Sequence, residues 1–310
     1  MMCKSKVSSD RLFLMFFIFL ITKSISGFCQ EVNDNINVSY GINTWDPVHI
    51  KADEKKGRTD ELKPINFTAI NSTYYPFELA ITFSVFENLT PRPSVRPITL
   101  SHGLNNLYTL LVQVPGVGYG YRYTYLYWLK PSDKIIDEKF PYLIPLKEGK
   151  TVISKNNLTG KILNSFAGKQ GDTIYSMRRG LVTAVPHSET MYFRISNDDC
   201  LEVLQPDGTY MIYHNLSKND MFTAPGKSVL PGEPIGVMSD SAYIYVSLLK
   251  VSETKNILEN QPITYSTGRE ETASYDEFKG VNKSVHPIEI ITREMNHREM
   301  KKILTNNHLP

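Results

Sequence analysis

The chain reads as all-β, with two successive β units and a helical tail. Three observations predict this. Short apolar or alternating runs recur between turns rich in Gly, Pro and Asn. No helical period of useful length runs through residues 150–252. Tyrosine is frequent, 18 against 2 tryptophans, and tyrosine favours strands. At 310 residues the chain has room for about two domains and a real core. Its net charge of +2 gives no electrostatic bias toward nucleic acid or a membrane surface.

The first 29 residues have the order of a secretory signal. Lys4, Lys6 and Arg11 precede the apolar run 12–21 (LFLMFFIFLI), and small residues follow, ending in Gly27-Phe28-Cys29. The run falls short of the ~20 residues a spanning helix needs, and no second apolar run follows it. Cleavage is expected after Cys29. The mature chain is then exported (periplasmic, on the cell surface or secreted) and has no spanning segment. Cys200 becomes its one cysteine, so no intrachain disulfide forms. That thiol reads as a small buried hydrophobe.

Residues 30–62 are polar and read as a loose entry segment. Residues 63–130 read as a β-sandwich. Runs 67–71, 77–83, 107–114 and 121–129 are its strands, and a loop at 88–97 holds Pro91, Pro93 and Pro97. The glycine-rich turn 115–120 lacks the spacing and the strand-to-helix context of a phosphate loop. Residues 131–149 read as a linker. A second β unit occupies 150–252, with strands expected at 180–185, 191–195, 201–204, 210–213 and 243–251. Turns divide it at Pro206-Asp207-Gly208, Pro225-Gly226 and Pro231-Gly232. Residues 253–310 form a tail with a helix over about 287–304, where Pro287 suits the first turn and Lys301-Lys302 the last.

Three segments of the second unit carry a resemblance. Residues 171–182 (GDTIYSMRRGLV) take the place of a Gly-x-x-Val-x-Ala-x-x-x-Gly-x-Val pattern. Residues 207–216 (DGTYMIYHNL) match an Asp-Gly-x-x-x-x-Tyr-x-His-Leu strand. Residues 229–236 (VLPGEPIG) match Val-x-x-Gly-x-x-Ile-Gly. In this order they resemble the M23 family of zinc metallopeptidases, the lysostaphin or LytM type, which cleave peptide crosslinks of bacterial cell walls. The resemblance implies a β domain of the duplicated hybrid motif type. It also implies a zinc held by a His-x-x-x-Asp segment and by the last His of a His-x-His strand.

A catalytic zinc needs about three protein ligands and an open position for water. Here the stretch 158–171 (LTGKILNSFAGKQG) has no His and no Asp, and the His-x-His positions read Tyr243-Ile244-Tyr245. Only His214 matches a family active-site histidine, and in the family that one is a catalytic partner, not a ligand. A single imidazole cannot hold zinc or activate its water. His187, Asp198 and Asp199 are the groups from which another metal site would be rebuilt. No G-x-S-x-G elbow or S-x-x-K signature stands in context.

The expectation is therefore an exported, non-catalytic M23-like protein with no metal and no cofactor. Its groove is lined by Tyr210, Tyr213, His214, Tyr243 and Tyr245. It binds a cell-wall peptide or glycopeptide, or an envelope protein such as a wall hydrolase that it regulates, and strand addition is the expected mode. The rivals are an active zinc endopeptidase with non-standard ligands and a structural envelope protein.

Overall fold

The computed structural model describes residues 23–28, 47–54, 64–153, 164–186, 188, 200–253, 258–268, 271–277 and 282–305. Eight strands build the first unit: β1 (Lys23–Phe28), β2 (Val48–Glu54), β3 (Ile65–Asn71), β4 (Phe77–Glu87), β5 (Leu89–Thr90), β6 (Ile98–Leu100), β7 (Gly103–Val112) and β8 (Gly120–Leu129). They form two four-stranded sheets, ordered β1-β8-β4-β6 and β2-β3-β7-β5. Period-two alternation turns Ile65, Phe67 and Ala69 of β3 inward, with Phe77, Leu79 and Ile81 of β4 and Tyr121, Tyr123 and Tyr125 of β8. Phe67 is central. The rings of Phe83, Tyr121 and Tyr123 meet it edge-on at 5.6, 5.3 and 5.4 Å.

Four strands of this unit fall where the sequence predicted none: β5 lies inside the expected loop 88–97, where Leu89 and Thr90 pair with Val112 and Leu111, and β6 follows that loop and pairs with β4; β1 and β2 are the other two. Strand β2 lies in the expected polar entry segment. Its inward Val48, Ile50 and Ala52 alternate with polar residues inside a charged stretch, which hides the pattern. Strand β1 consists of residues from the expected leader. Its backbone pairs with β8 from Lys23↔Tyr125 to Phe28↔Gly120. Cleavage after Cys29 would remove that strand. Cys29 and residues 1–22 lie outside the described residues.

The second unit begins within the expected linker, with β9 (Pro141–Tyr142), and continues through β10 (Thr151–Val152), β11 (Asn164–Ala167), β12 (Thr173–Tyr175), β13 (Gly180–Ala184), β14 (Cys200–Leu204), β15 (Tyr210–His214), β16 (Leu216–Met221), β17 (Ser228–Val229), β18 (Pro234–Met238) and β19 (Tyr243–Val251). The tail adds β20 (Leu258–Gln261), β21 (Thr264–Ser266), β22 (Thr272–Ser274), β23 (Asn282–Lys283), α1 (Ile288–Thr292) and α2 (His297–Thr305). The main sheet runs β11-β19-β15-β14-β13-β17, with β20 beside β19. The expected strand 191–195 lies outside the described residues.

Both faces of this sheet are used. On one face Leu201, Val203, Met211, Tyr213, Ile244 and Val246 share a core with Ile174, Leu216, Ile235 and Met238 of the smaller sheet β12-β18-β16. On the other, Cys200, Tyr210, Ile212, Leu249 and Val251 join the sandwich core. Each fully buried aliphatic side chain contributes about 1.5–3 kcal/mol, so the two units are held together by more than loop contacts.

A turn at residues 71–76 makes the closest polar join. Asn71 Oδ1 accepts the Thr73 N–H (3.0 Å) and hydroxyl (2.9 Å), and Asn71 Nδ2 donates to Tyr75 O at 2.8 Å. The turn holds out two rings. The Tyr75 hydroxyl donates to the buried carboxylate of Glu202, and its ring lies 6.0 Å from that of Tyr210. Tyr74 stacks on His102 at 4.0 Å and covers Gly226, where a Cβ would fall 2.4 Å from the Tyr74 ring. Ser132 and Lys134 donate to the carbonyls of Asp207 and Pro206, so the expected linker is strapped to the second unit.

The tail is docked as well. The single helix expected over about 287–304 is broken at residues 293–296. Asn296 caps α2: its Oδ1 accepts the N–H groups of Arg298 and Glu299 at 3.0 Å each, and Glu299 accepts the Asn296 N–H at 2.9 Å. This is a capping box, and it starts a new helix. Ile290, Ile291 and Met295 pack on Leu143. Glu294, inside the break, takes the buried Arg178 guanidinium at 3.0 Å from Nε and 2.6 Å from Nη2. Arg178 also bonds Asp207 and lies 3.8 Å over the Phe140 ring. Burial pushes the Asp207 carboxyl up, but the hydrogen bonds from Thr209 and the charge of Arg178 outweigh it and hold it below the usual range.

Three outcomes are expected. Arg178→Met leaves Asp207 buried without its counter-charge and should cost about 3–5 kcal/mol in urea unfolding. Limited proteolysis should then release the tail first. Gly226→Ala drives a methyl into Tyr74 at a backbone φ of +84° and should cost about 1–3 kcal/mol by the same assay. His286, in the tail, lies 3.1 Å from Ile144 O. Burial is the largest influence on it and keeps its pKa below the ordinary value, against the Ile144 carbonyl and Glu148. The fold thus prefers the neutral ring, and the unfolded chain takes up the proton at higher pH. Stability is full above about pH 6.5 and falls as the pH drops below it. The urea midpoint should therefore decline over that window, and decline less in His286→Gln.

Candidate functional site

Strand β19 lies between β15 on one side and β11 and β20 on the other. Register fixes what faces what. Tyr245 stands opposite Ser165 of β11 and opposite His214 of β15, and His214 stands opposite Cys200 of β14. Directly paired residues project to the same face. One row across four strands therefore carries a hydroxyl, a phenol, an imidazole and a thiol.

His214 Nδ1 is 3.0 Å from Cys200 Sγ, and its Nε2 is 3.5 Å from Ser247 Oγ. Ser165 is fully buried. Its hydroxyl lies 3.1 Å from the Tyr275 Oη, which also donates to Ser165 O at 2.8 Å and accepts its N–H at 3.0 Å. Tyr243, two residues before Tyr245, projects from the same face, and the two rings lie 6.3 Å apart at 45°. His214, Tyr243 and Tyr245 are half-buried.

Of the five residues expected to line the groove, the structure brings three together: His214, Tyr243 and Tyr245. Tyr213 points through the sheet to the opposite face, because it is one residue from His214 on a strand. It is fully buried there, accepts the Met177 N–H at 2.9 Å, and burial pushes its pKa up to about 12, so it stays a neutral structural phenol. Tyr210 is on the right face but lies fully buried beneath the sandwich, against Tyr75. Neither can touch a ligand in this arrangement. Strand addition at β19 is closed too, since both of its edges are already paired.

Two contributors were missed. Asn215 adopts φ +65°, a left-handed conformation that Asn tolerates. Its Nδ2 donates to Ser241 Oγ and to Tyr243 O, both at 2.9 Å, and so ties the end of β15 to the start of β19. An Asn directly after a strand-ending His was the available signal. Cys200, read only as a small hydrophobe, is buried but sits on the His214 ring.

The described donors do not fit a catalytic zinc. The row holds His214 and Cys200 as metal-competent groups, a neutral phenol is not a usual ligand, and no carboxylate stands in it. Among the described residues no three His, Cys, Asp or Glu side chains converge on one point. His187, Asp198 and Asp199 lie outside the described residues.

No protein-family model matches the chain, and no curated protein matches it. Solved structures similar to it include the catalytic domain of the prophage-encoded M23 protein EnpA from Enterococcus faecalis, solved as a point mutant. That match has 17% identity over 47% of this chain and 97% of that one, at a TM-score of 0.27. Helicobacter pylori Csd3 matches at 14% identity over 79% of this chain and 57% of that one, TM-score 0.30. A zinc-containing peptidase from Vibrio cholerae matches at 9% identity over 68% and 83%, TM-score 0.24. At scores this low a likeness assigns no residue and no role.

Asn215 gives a test of how the site is held. Asn215→Gly keeps the backbone conformation and removes the two side-chain bonds. Asn215→Ala adds the strain of a Cβ in the left-handed region. The glycine variant should lose about 1 kcal/mol in urea unfolding and the alanine variant about 1–2 kcal/mol more.

Proposed function

We propose that the chain is an exported, M23-like protein that binds cell-wall material or a wall-associated partner and does not cleave it. One observation carries this reading: the row Ser165–Tyr245–His214–Cys200 lies across the strands where the resemblance calls for a zinc cage, and its side chains cannot form one. The three resembling segments supply the context. They fall on β12 and β13, on the turn into β15 and β15 itself, and on β17 and β18, within one β unit. Without a metal-bound water, what the row leaves at the surface is the half-buried His214 and Tyr245 with Tyr243 beside them, over the buried Ser165 and Cys200, and such a set suits binding. The Tyr75–Glu202 contact and the shared core fix the sandwich at one end of this face. A partner such as a wall hydrolase would meet both units together.

The test uses the mature full-length chain. It should co-sediment with purified peptidoglycan sacculi, and Tyr245→Ala should reduce the bound fraction about tenfold while leaving the unfolding midpoint near that of the parent. Sacculi should keep their mass and release no soluble fragments. Stoichiometric zinc that vanishes in a His187→Ala, His214→Ala double variant, together with fragment release, would overturn the proposal.

A further inference from the structure

The last described segment, 286–305, has a small core of its own. Ile290, Ile291 and Met295 close on Leu143, with Leu230, Ile288 and Met300 at the margin. This cluster is separate from the sandwich core and from the core of the second unit. A segment with so few buried contacts can open while the rest of the chain stays folded.

His286 is buried at the root of that segment, wedged among three elements. The segment 140–149 gives it the Ile144 carbonyl, 3.1 Å from Nε2. Strand β12 gives it the Tyr175 ring, at 5.8 Å and 68°. The turn 230–233 lies beside Nδ1: a Cβ on Gly232 would fall 3.8 Å from that atom, 3.8 Å from Leu143 and 3.7 Å from Ile291. Ser284 Oγ is 3.4 Å from Nε2 and donates to Leu146 O at 2.9 Å. The neutral ring that fits here carries its proton on Nε2 and donates to Ile144 O. A second proton would sit on Nδ1, where no described protein group accepts it.

The surroundings compensate that charge poorly. Glu148, from the segment 140–149, favours the imidazolium, but burial outweighs it. Glu233, from the turn, spends Oε2 on the Leu230 N–H at 2.9 Å. Strand β12 and α1 contribute Tyr175 and Ile291.

We infer that the tail is an acid-released latch: protonating His286 undocks residues 286–305 as a unit while both β units stay folded. This stands apart from what the chain binds. In the undocked tail the ring meets water and titrates near the ordinary value of about 6.5. Docking is therefore fully favoured above that pH and weakens as the pH falls below it. The tail's ion pairs join Glu294 to Arg178 and Glu299 to Arg179, and ordinary glutamates titrate about two units lower. Release uncovers Leu143 and takes Glu294 away from the Arg178 guanidinium.

The experiment is hydrogen exchange of the full mature chain, read by mass spectrometry at pH 7.5 and 5.5 and corrected for the intrinsic pH dependence of exchange. Protection over 286–305 should fall about fivefold between the two, and protection over β3, β4 and β8 should hold within about twofold. His286→Gln keeps an N–H donor for Ile144 O and removes the titration, so its tail should be equally protected at both pH values. Glu148→Gln should deepen the acid loss. His297→Gln, which changes an exposed histidine of α2, should behave as the parent does. An equal fall in His286→Gln would overturn the latch, as would a response lost with His297→Gln or a fall spread evenly over both β units. Should His286→Gln leave the tail unprotected at both pH values, Glu148→Gln decides, and an acid loss no deeper than the parent's would overturn the assignment.

Discussion

Strands β14, β15 and β19 bury side chains on both faces, and the rest of the molecule is arranged around that constraint. An alternating strand must find two apolar partners when both of its faces are covered. The smaller sheet β12-β18-β16 supplies one, and the sandwich supplies the other. The sandwich covers the part of that face carrying Cys200, Tyr210, Ile212, Leu249 and Val251, and the half-buried His214, Tyr243 and Tyr245 lie beyond it. The candidate site is thus bounded by where the first unit stops. Tyr75 marks the boundary, its hydroxyl tied to a carboxylate that could not otherwise be buried cheaply.

The same geometry explains why two expected groove residues are not in it. Tyr213 and His214 are adjacent in sequence, and adjacency on a strand means opposite faces. Tyr210 has the correct parity but the wrong partner. Parity is readable from sequence; the partner is not. The outer half of the face keeps Tyr243, Tyr245 and His214 together because β19 and β15 are in register and Asn215 ties their ends.

Much of the fold was legible. Ile65 to Asn71 and Tyr123 to Leu129 alternate cleanly, whereas β4 and β7 lose the alternation part-way along. The three turns built on Gly208, Gly226 and Gly232 have positive φ, as their Pro-Asp-Gly and Pro-Gly contexts require. Strand β2 was masked by alternating charges on its outer face. The tail was under-read because its strands are two to four residues long and its helix break depends on Asn296 and Glu299 acting as a pair. The unit joining β8 to the second domain read as a linker because Ser132 and Lys134 look like ordinary turn residues. Their partners, the carbonyls of Asp207 and Pro206, lie about seventy positions away in the chain, beyond any local pattern.

Tyr275 has a consequence for biogenesis. It seals the outer edge of β11, and β20 flanks the second half of β19, and both follow β19 in sequence. Synthesis makes β11 and β19 before either. Until residues 258–275 emerge, the main sheet would carry an open margin of unmet amide groups, the sort of surface on which nascent chains adhere to one another. The tail therefore serves as the closure of the fold, and any shortened product lacking it would be prone to clump before it could ever be tested for binding.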